Sequence, residues 1–160
     1  MKALASPSYH RPDLIRPYRT SDRSALIEVF RLNTPKYFDP SELSHFEEYL
    51  SKYSQTYFTV EQNGTIVGGA GFHFTKNDTV GHISWIFFHP DFSGKGLGST
   101  AIRHCLDRLK SERKLRRLSA TTSQLAYKFF EKFGFRLVRT EKDYWGRGLD
   151  LYEMEITLPG

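Results

Sequence analysis

The N-terminal third of the chain carries apolar residues at helical spacing. One face of a first helix is predicted by five of them: Ala25, Leu26, Val29, Phe30 and Leu32. The cap residues Thr20 to Asp22 precede this helix, and Pro35 lies beyond its end. A second helical face follows the cap segment Asp39 to Glu42 and consists of Leu43, Phe46, Tyr49 and Leu50. The apolar stretch from Leu14 to Tyr18 predicts a strand before both helices.

The apolar residues change to a period of two after Gln55. The segment Tyr57 to Val60 leads into Asn63-Gly64, a strong signal for a two-residue hairpin turn, and the next strand runs from Thr65 to Phe74. A third strand is predicted from Val80 to Phe88 and ends before a proline. Three strands joined by such short turns predict an antiparallel meander.

The second half of the chain alternates helices and strands. The apolar spacing predicts a helix from about Gly98 to Glu112 and a strand from Leu115 to Thr121. Another helix is predicted from Ser123 to Phe133, with Gly134 as its left-handed cap.

Two closing strands are predicted at Phe135 to Thr140 and at Leu149 to Leu158. The loop between them contains Tyr144 and Trp145 together with two glycines. Helices and strands of this number and order predict a mixed α/β fold.

Length and composition predict a single domain. The chain has 160 residues, of which 39% are hydrophobic, enough for one packed core. Residues 1–12 show no periodicity and are interpreted as an N-terminal tail, and residues 13–160 as the folded domain. Because no apolar run reaches the ~18–20 residues of a membrane span and the start lacks a secretory pattern, we expect a cytoplasmic protein without a membrane partner.

The charge distribution and the metal-ligating residues argue against two further classes of protein, nucleic-acid-binding proteins and metalloproteins. The net charge is +5, but the basic residues are scattered and the densest cluster, Arg113 to Arg117, is short, so no nucleic-acid partner is expected. The single cysteine, Cys105, excludes an internal disulfide, and the six histidines lack ligand spacing. We therefore expect no metal.

A glycine-rich segment joins the third strand of the meander to the following helix. It consists of Ser93, Gly94, Lys95, Gly96, Leu97, Gly98 and Ser99. Free N–H groups at the start of a helix converge on an anion, and glycines let the backbone approach phosphate oxygens. The segment therefore predicts a diphosphate-binding loop, with a bend that binds no ligand as the alternative.

Two other glycine-loop motifs fit this segment less well. The dinucleotide fingerprint follows the first strand of a parallel unit and needs an acid ~20 residues later, where Arg116 to Thr121 contains none. The phosphate loop of nucleoside triphosphatases needs a hydroxyl residue after its lysine, whereas Gly96 follows Lys95.

Two segments resemble the GNAT superfamily of N-acetyltransferases. His89 to Ser99 is similar to the family's acetyl-coenzyme A motif, Gln/Arg-x-x-Gly-x-Gly/Ala, and Ala126 to Phe135 is similar to a helix-to-strand segment of many members. The resemblance extends from Leu14 to Leu158. It implies a central, mostly antiparallel, twisted sheet of six to seven strands with about four helices, splayed between strands 4 and 5. It also implies an N-acetyltransferase that uses acetyl-coenzyme A.

The chain departs from the family pattern at two positions. Ser93 stands where members usually carry Gln or Arg, and Phe130 stands where many carry a Tyr that protonates the departing thiolate. Because a thiol has a pKa of about 8.5, expelling the thiolate at neutral pH costs only about 2 kcal/mol. Ser123 and Tyr127, on the predicted helical face of Phe130, are candidate proton donors; the alternative is that both only pack against the pantetheine arm.

The strand from Val80 to Phe88 carries the candidate base. His82 matches the position of a catalytic Glu in the histone acetyltransferases of this superfamily, and imidazole has a suitable pKa. The alternative is a hydrogen-bonded strand histidine without a catalytic role. Strand alternation predicts that His82, Ser84, Ile86 and Phe88 project to one side. The resemblance further implies that backbone groups of Ile86, Phe87 and Phe88 bind pantetheine and that one N–H polarises the thioester.

The acceptor is expected to be an amine of a small molecule or a peptide, held between the early helices and the late hairpin. Seven acids of these regions are candidates for attracting a cationic amine: Glu28, Asp39, Glu42, Glu47, Glu48, Asp143 and Asp150. Tyr144 and Trp145 either line this pocket or cover the core. The alternative function is a non-catalytic acyl-coenzyme A sensor, based on Phe130, and a homodimer through the late strands is left open.

Overall fold

The computed structural model describes residues 14–92 and 96–159. In this part of the chain seven strands form one sheet: β1 (Leu14–Pro17), β2 (Tyr57–Gln62), β3 (Thr65–Thr75), β4 (Val80–Phe88), β5 (Arg117–Thr122), β6 (Arg136–Gly146) and β7 (Leu149–Thr157). The α-helices of the same residues are α1 (Arg23–Leu32), α2 (Leu43–Lys52), α3 (Leu97–Lys110) and α4 (Tyr127–Glu131). The predicted tail, residues 1–12, lies outside the described residues.

The sheet has the strand order β1-β2-β3-β4-β5-β7-β6. Every neighbouring pair is antiparallel except β4 and β5, which run parallel. These two pair only from Val80 to His82 with Arg117 to Ser119, and beyond that point they separate. The predicted mostly antiparallel sheet with a splay between its fourth and fifth strands is confirmed.

Each face of the sheet is covered by two helices. The core under α1 and α2 is largely aromatic and includes Phe30, Phe46, Tyr57 and Phe87. The core under α3 and α4 includes Ile102, Leu109, Leu118 and Met154. The prediction that Leu32 belongs to the buried face of α1 is wrong, because Leu32 is 52% exposed and the neighbouring Asn33 is buried in its place.

Both helices of the N-terminal region follow a 3-10 turn whose last residue is an acid that accepts a backbone hydrogen bond. Before α2, Asp39 accepts a hydrogen bond from the Ser41 N–H (3.0 Å), and Glu42 accepts one from the Asp39 N–H (2.9 Å). This reciprocal capping agrees with the predicted cap segment. Before α1, the acid of the predicted cap lies inside a 3-10 turn, where Asp22 accepts a hydrogen bond from the Arg19 N–H (2.9 Å).

Two elements of the C-terminal half differ from their predicted bounds. Helix α4 has five residues rather than the predicted span from Ser123, because the Ser123 hydroxyl accepts a hydrogen bond from the Leu125 N–H (3.2 Å) and holds a turn there. Strand β6 continues to Gly146, where a loop was predicted, because it resumes pairing with β7 at Gly146 and Leu149 after an irregularity that follows Glu141. This longer hairpin reaches the site described next.

Candidate functional site

A cleft of about 770 Å³ opens where β4 and β5 separate. One end is formed by the start of α3 and by α4, including Gly96, Ser99, Phe129, Phe130 and Lys132. The other end is formed by α2, the segment before it and the end of β6, including Tyr37, Phe38, Glu42, Tyr49 and Trp145. The middle is lined by β4 from Ile83 to Phe88 and by β5 from Ala120.

A bulge in β4 lies in the middle of this cleft. Trp85 has a φ of 46°, in the left-handed region that a bulky residue rarely adopts. Its carbonyl accepts a hydrogen bond from the hydroxyl of the fully buried Tyr57 (2.7 Å). Tyr57 crosses β3 at Gly69, where a Cβ atom would lie 2.5 Å from the Tyr57 hydroxyl. The glycines of β3 are a sequence signal for this bulge, because glycines inside a strand often mark a close approach of a neighbouring group.

The bulge changes the side to which the following side chains project. Ser84 lies beside Tyr49 of α2, and Trp85 and Phe87 pack into the core under α1 and α2. Ile86 and Phe88 pack into the opposite core. The prediction that His82, Ser84, Ile86 and Phe88 share one side is therefore wrong beyond Ser84, because strand alternation fails at a bulge.

Beyond His82, the edge of β4 that faces the opening has no strand paired to it among the described residues. The His89 N–H bonds to the Val67 carbonyl of β3 (2.7 Å), so by alternation the N–H groups of Ile86 and Phe88 point away from β3. On that side β5 has already separated. The Phe88 carbonyl is occupied, because it accepts a hydrogen bond from the Asn33 amide (3.0 Å).

The start of α3 presents further N–H groups to the cleft. The cap residue Gly96 has a φ of 79°, and the Thr100 N–H bonds back to its carbonyl (3.0 Å). The N–H groups of Leu97, Gly98 and Ser99 lie in the first turn of the helix, where N–H groups have no partner within the helix and the helix dipole favours an anion. Gly98 also has a packing role, because a Cβ there would lie 3.1 Å from the Phe129 ring.

The rest of the predicted phosphate loop lies outside the described residues, namely Ser93, Gly94 and Lys95. Lys132, which follows α4, lines the same end of the cleft and was not identified from the sequence.

His82 does not line the cleft. It lies where β4 still pairs with β5, opposite Ser119. Its Nε2 is hydrogen-bonded to the Thr75 hydroxyl (2.6 Å), and its ring stacks on His73 with 4.8 Å between centroids. Burial, with help from the neighbouring His73 and Arg117, lowers the pKa of His82 to about 4. The geometry fits the alternative of a hydrogen-bonded strand histidine better than that of a base.

The two candidate proton donors lie in different surroundings. Ser123 is buried and lines the cleft beside Phe130. Its oxygen accepts the Leu125 N–H, so its own O–H remains available to donate. Tyr127 is not among the lining residues and packs against Tyr152 with 4.8 Å between ring centroids.

Of the seven acids proposed for the acceptor pocket, Glu42 is the one that lines the cleft in the described part of the chain. Its side chain is almost fully buried, and this burial raises the pKa of its carboxyl group to about 7. No sequence signal separates Glu42 from the other acids, because its burial depends on how α2 packs against the sheet.

The acceptor end also contains a buried hydroxyl and several aromatic rings. The Tyr49 hydroxyl faces Ser84 but makes no hydrogen bond of normal geometry with a described residue, and burial raises the pKa of Tyr49 to about 12. Trp145 lines the cleft and donates a hydrogen bond from its indole N–H to the Thr122 carbonyl (2.9 Å). Tyr144 is 50% exposed and packs on Trp145 instead of lining the pocket.

The described residues contain neither a membrane-spanning helix nor a cluster of metal-ligating side chains. Among residues 14–92 and 96–159 no helix has the length and apolar character needed to cross a bilayer. The same residues bring no three His, Cys, Asp or Glu side chains together in a group that could hold a metal ion.

Comparison with known proteins gives one family. Residues 23–135 match the model of the "Acetyltransferase (GNAT) family". A curated N-alpha-acetyltransferase of Sulfolobus acidocaldarius is 29% identical over 150 residues, covering 86% of this chain and 83% of the relative.

Solved structures share the fold at low sequence identity. The ribosomal-protein-S18-alanine N-acetyltransferase of Escherichia coli superposes with a TM-score of 0.74 at 21% identity, over 93% of this chain and 97% of that one. An N-acetyltransferase of Staphylococcus aureus gives 0.73 at 21% identity, over 93% and 100%.

Proposed function

Since the chain belongs to the acetyltransferase (GNAT) family, we propose that its cleft holds acetyl-coenzyme A along β4 and transfers the acetyl group directly to an amine. The enzyme is an N-acetyltransferase that uses acetyl-coenzyme A as its cosubstrate. The observation that carries the proposal is the separation of β4 from β5 beyond His82, which leaves strand backbone unpaired along a cleft.

Backbone groups bind the cosubstrate in this proposal. The N–H groups of Leu97, Gly98 and Ser99 bind the diphosphate at the positive end of α3. Lys132 adds a positive charge on the same side of the cleft. The pantetheine arm lies against Ile86 and Phe88 and pairs with the open edge of β4, and Phe130 packs beside it. Roles for Phe87 and for residues 93–95 in cosubstrate binding stay predictions.

Glu42 is the general base in this proposal. Most amines are protonated at neutral pH, and only the neutral nitrogen attacks a thioester. A carboxylate whose pKa is about 7 is half ionised at neutral pH and still basic enough to accept the proton. Glu42 is buried at the acceptor end of the cleft, and this burial is the main cause of its raised pKa.

The reaction needs no covalent enzyme intermediate. The amine nitrogen attacks the thioester carbonyl carbon, whose oxygen accepts a hydrogen bond from a free N–H of β4 beside the bulge. The carbon–sulfur bond then breaks, and the thiolate receives a proton from water, either directly or through the Ser123 hydroxyl, which regains a proton from water as it donates its own. Glu42 accepts the proton that the attacking nitrogen loses and releases it to solvent, so the net products are the amide and the thiol.

The test compares three variants by release of coenzyme A thiol from acetyl-coenzyme A across a panel of amines. Glu42→Gln is expected to lower kcat/KM by about 10²–10⁴-fold and to remove an activity increase centred near pH 7. Glu48→Gln is the matched control, because Glu48 lies on α2, which begins directly after Glu42, but is exposed and paired with Lys52. His82→Ala tests the rival base.

The outcomes separate the two bases and the function itself. Loss of activity in Glu42→Gln but not in His82→Ala supports Glu42, and the reverse result refutes it. Acetyl-coenzyme A binding without thiol release from any amine would refute acetyl transfer. The exclusion of nucleic acid and membranes, the cytoplasmic location and a homodimer stay predictions.

A further inference from the structure

We infer that the acceptor is a primary amine on an apolar or aromatic arm, with no carboxylate or phosphate beside its nitrogen. This inference rests on the proposed function and concerns the acceptor end of the same cleft. It follows from the charges, hydrogen-bonding groups and rings that line this end.

The described residues that line the acceptor end offer no positive charge to an anionic substituent. Among the described residues that line the cleft, Lys132 is the one lysine or arginine, and it lies at the opposite end with Phe129 and Phe130. His73 also lines the cleft, but burial lowers its pKa, so the ring is neutral. Lys36 lies over the ring of Tyr37, 5.1 Å from its centroid, and is not a lining residue.

The hydrogen-bonding groups at this end suit the N–H donors of an amine. The carboxylate of Glu42 accepts hydrogen bonds, and the hydroxyls of Tyr49 and Ser84 each have acceptor capacity. The Tyr49 side chain is more than nine-tenths buried, and its hydroxyl has no partner of normal geometry among the described residues. A bound amine would supply that partner, because a buried polar atom without a partner is unfavourable.

Aromatic rings form the wall around these groups. Trp85 lies 6.1 Å from Phe38 and 6.5 Å from Tyr49 between ring centroids. Ring faces attract a cation and give an apolar arm a surface to bury against. A substrate carboxylate beside the nitrogen would instead lose its hydration next to these rings and to Glu42, with no cation to compensate.

The test is a matched series of phenethylamine, phenylalaninamide and phenylalanine, which share one aromatic arm and differ at the carbon beside the nitrogen. We expect thiol release with the first two, and a kcat/KM for phenylalanine that is lower by roughly 100-fold or more. Phenylalaninamide is the decisive control, because it keeps the substituent's size and removes its charge.

The opposite preferences would overturn the inference. A kcat/KM for phenylalanine equal to that of its amide would refute the exclusion of anions. Turnover of spermidine or lysine without turnover of phenethylamine would refute the apolar arm. Failure of all these amines, together with a wider panel, would instead refute the proposed function.

A conservative variant tests the hydroxyl separately. Tyr49→Phe is expected to raise the KM for phenethylamine about fivefold while leaving the KM for acetyl-coenzyme A unchanged. An unchanged KM for the amine would refute the contact between Tyr49 and the acceptor.

Discussion

The substitution Gly69→Ala is expected to damage the β4 bulge from the far side of β3. The added Cβ would lie 2.5 Å from the Tyr57 hydroxyl, 2.7 Å from its Cε2 and 2.8 Å from its Cζ. Tyr57 has no room to retreat, because it is fully buried and its ring packs 5.5 Å from Tyr49 and 6.0 Å from Phe46 between centroids. The ring or β3 must therefore move.

The magnitude combines two effects. Overpacking a filled core costs about 1–3 kcal/mol. Displacing the Tyr57 hydroxyl also removes the 2.7 Å hydrogen bond to the Trp85 carbonyl, and leaving a buried carbonyl without a partner costs about 1–3 kcal/mol. We expect a loss of about 2–6 kcal/mol in the free energy of unfolding, against a typical domain stability of about 5–15 kcal/mol.

Urea unfolding of a double-mutant cycle measures this directly. Tyr57→Ala removes the clashing ring, so Gly69→Ala should cost less than about 1 kcal/mol in that background. Thiol release at low temperature, where Gly69→Ala stays folded, should fall as well, because Ile86 follows the bulge and its N–H would shift. If Gly69→Ala costs the same free energy in both backgrounds, the added Cβ does not act through the Tyr57 ring. If the single variant keeps full activity, the position of Tyr57 does not control the bulge.

Two further predictions concern a buried acid and the proton donor. Burial alone would raise the pKa of Asp22, but hydrogen bonds from Arg16, the Arg19 N–H and Thr59 outweigh it and lower that pKa. The stability that this lowered pKa contributes is present above the ordinary Asp pKa of about 4 and is lost as the pH falls through the lower pKa of the folded state. The Asp22→Asn variant should therefore be less stable than the wild type at pH 7 and should lose less stability on acidification. Thermal unfolding at several pH values checks this, and parallel curves of stability against pH for the two proteins would contradict it. Ser123→Ala should lower kcat by at most roughly 30-fold, because protonating a thiolate is worth only about 2 kcal/mol at neutral pH. The rate of thiol release measures this, and a larger decrease would show that Ser123 has a role beyond proton donation.

The bulge at Trp85 gives this chain its most specific structural feature. A bulky residue at a φ of 46° is strained, and such strain persists where the surrounding structure enforces it. Here Tyr57 and the glycine at position 69 hold it. The same bulge turns Trp85 towards the acceptor end and Ile86 towards the opposite core, so one local irregularity separates the two halves of the cleft.

The helices and strands could be predicted from the sequence, because local patterns encode them. The period of apolar residues gave α2 and β4, and Asn63-Gly64 and Gly134 adopt the positive φ values that their positions require. The glycine-rich segment and its relation to the following helix indicated the family, because a short contiguous motif carries that signal.

The chemical roles at the site were decided by the tertiary structure. Burial raises the pKa of the Glu42 carboxyl group to about 7, whereas a hydrogen bond from Lys52 lowers the pKa of the exposed Glu48. His82 met every requirement of spacing, yet it lies where the two strands still pair. Strand alternation failed at Trp85 because the contact that bends β4 comes from Tyr57, 28 residues earlier in the chain. Sequence periodicity describes neighbours along the chain, whereas burial, pKa and cleft shape depend on neighbours in space.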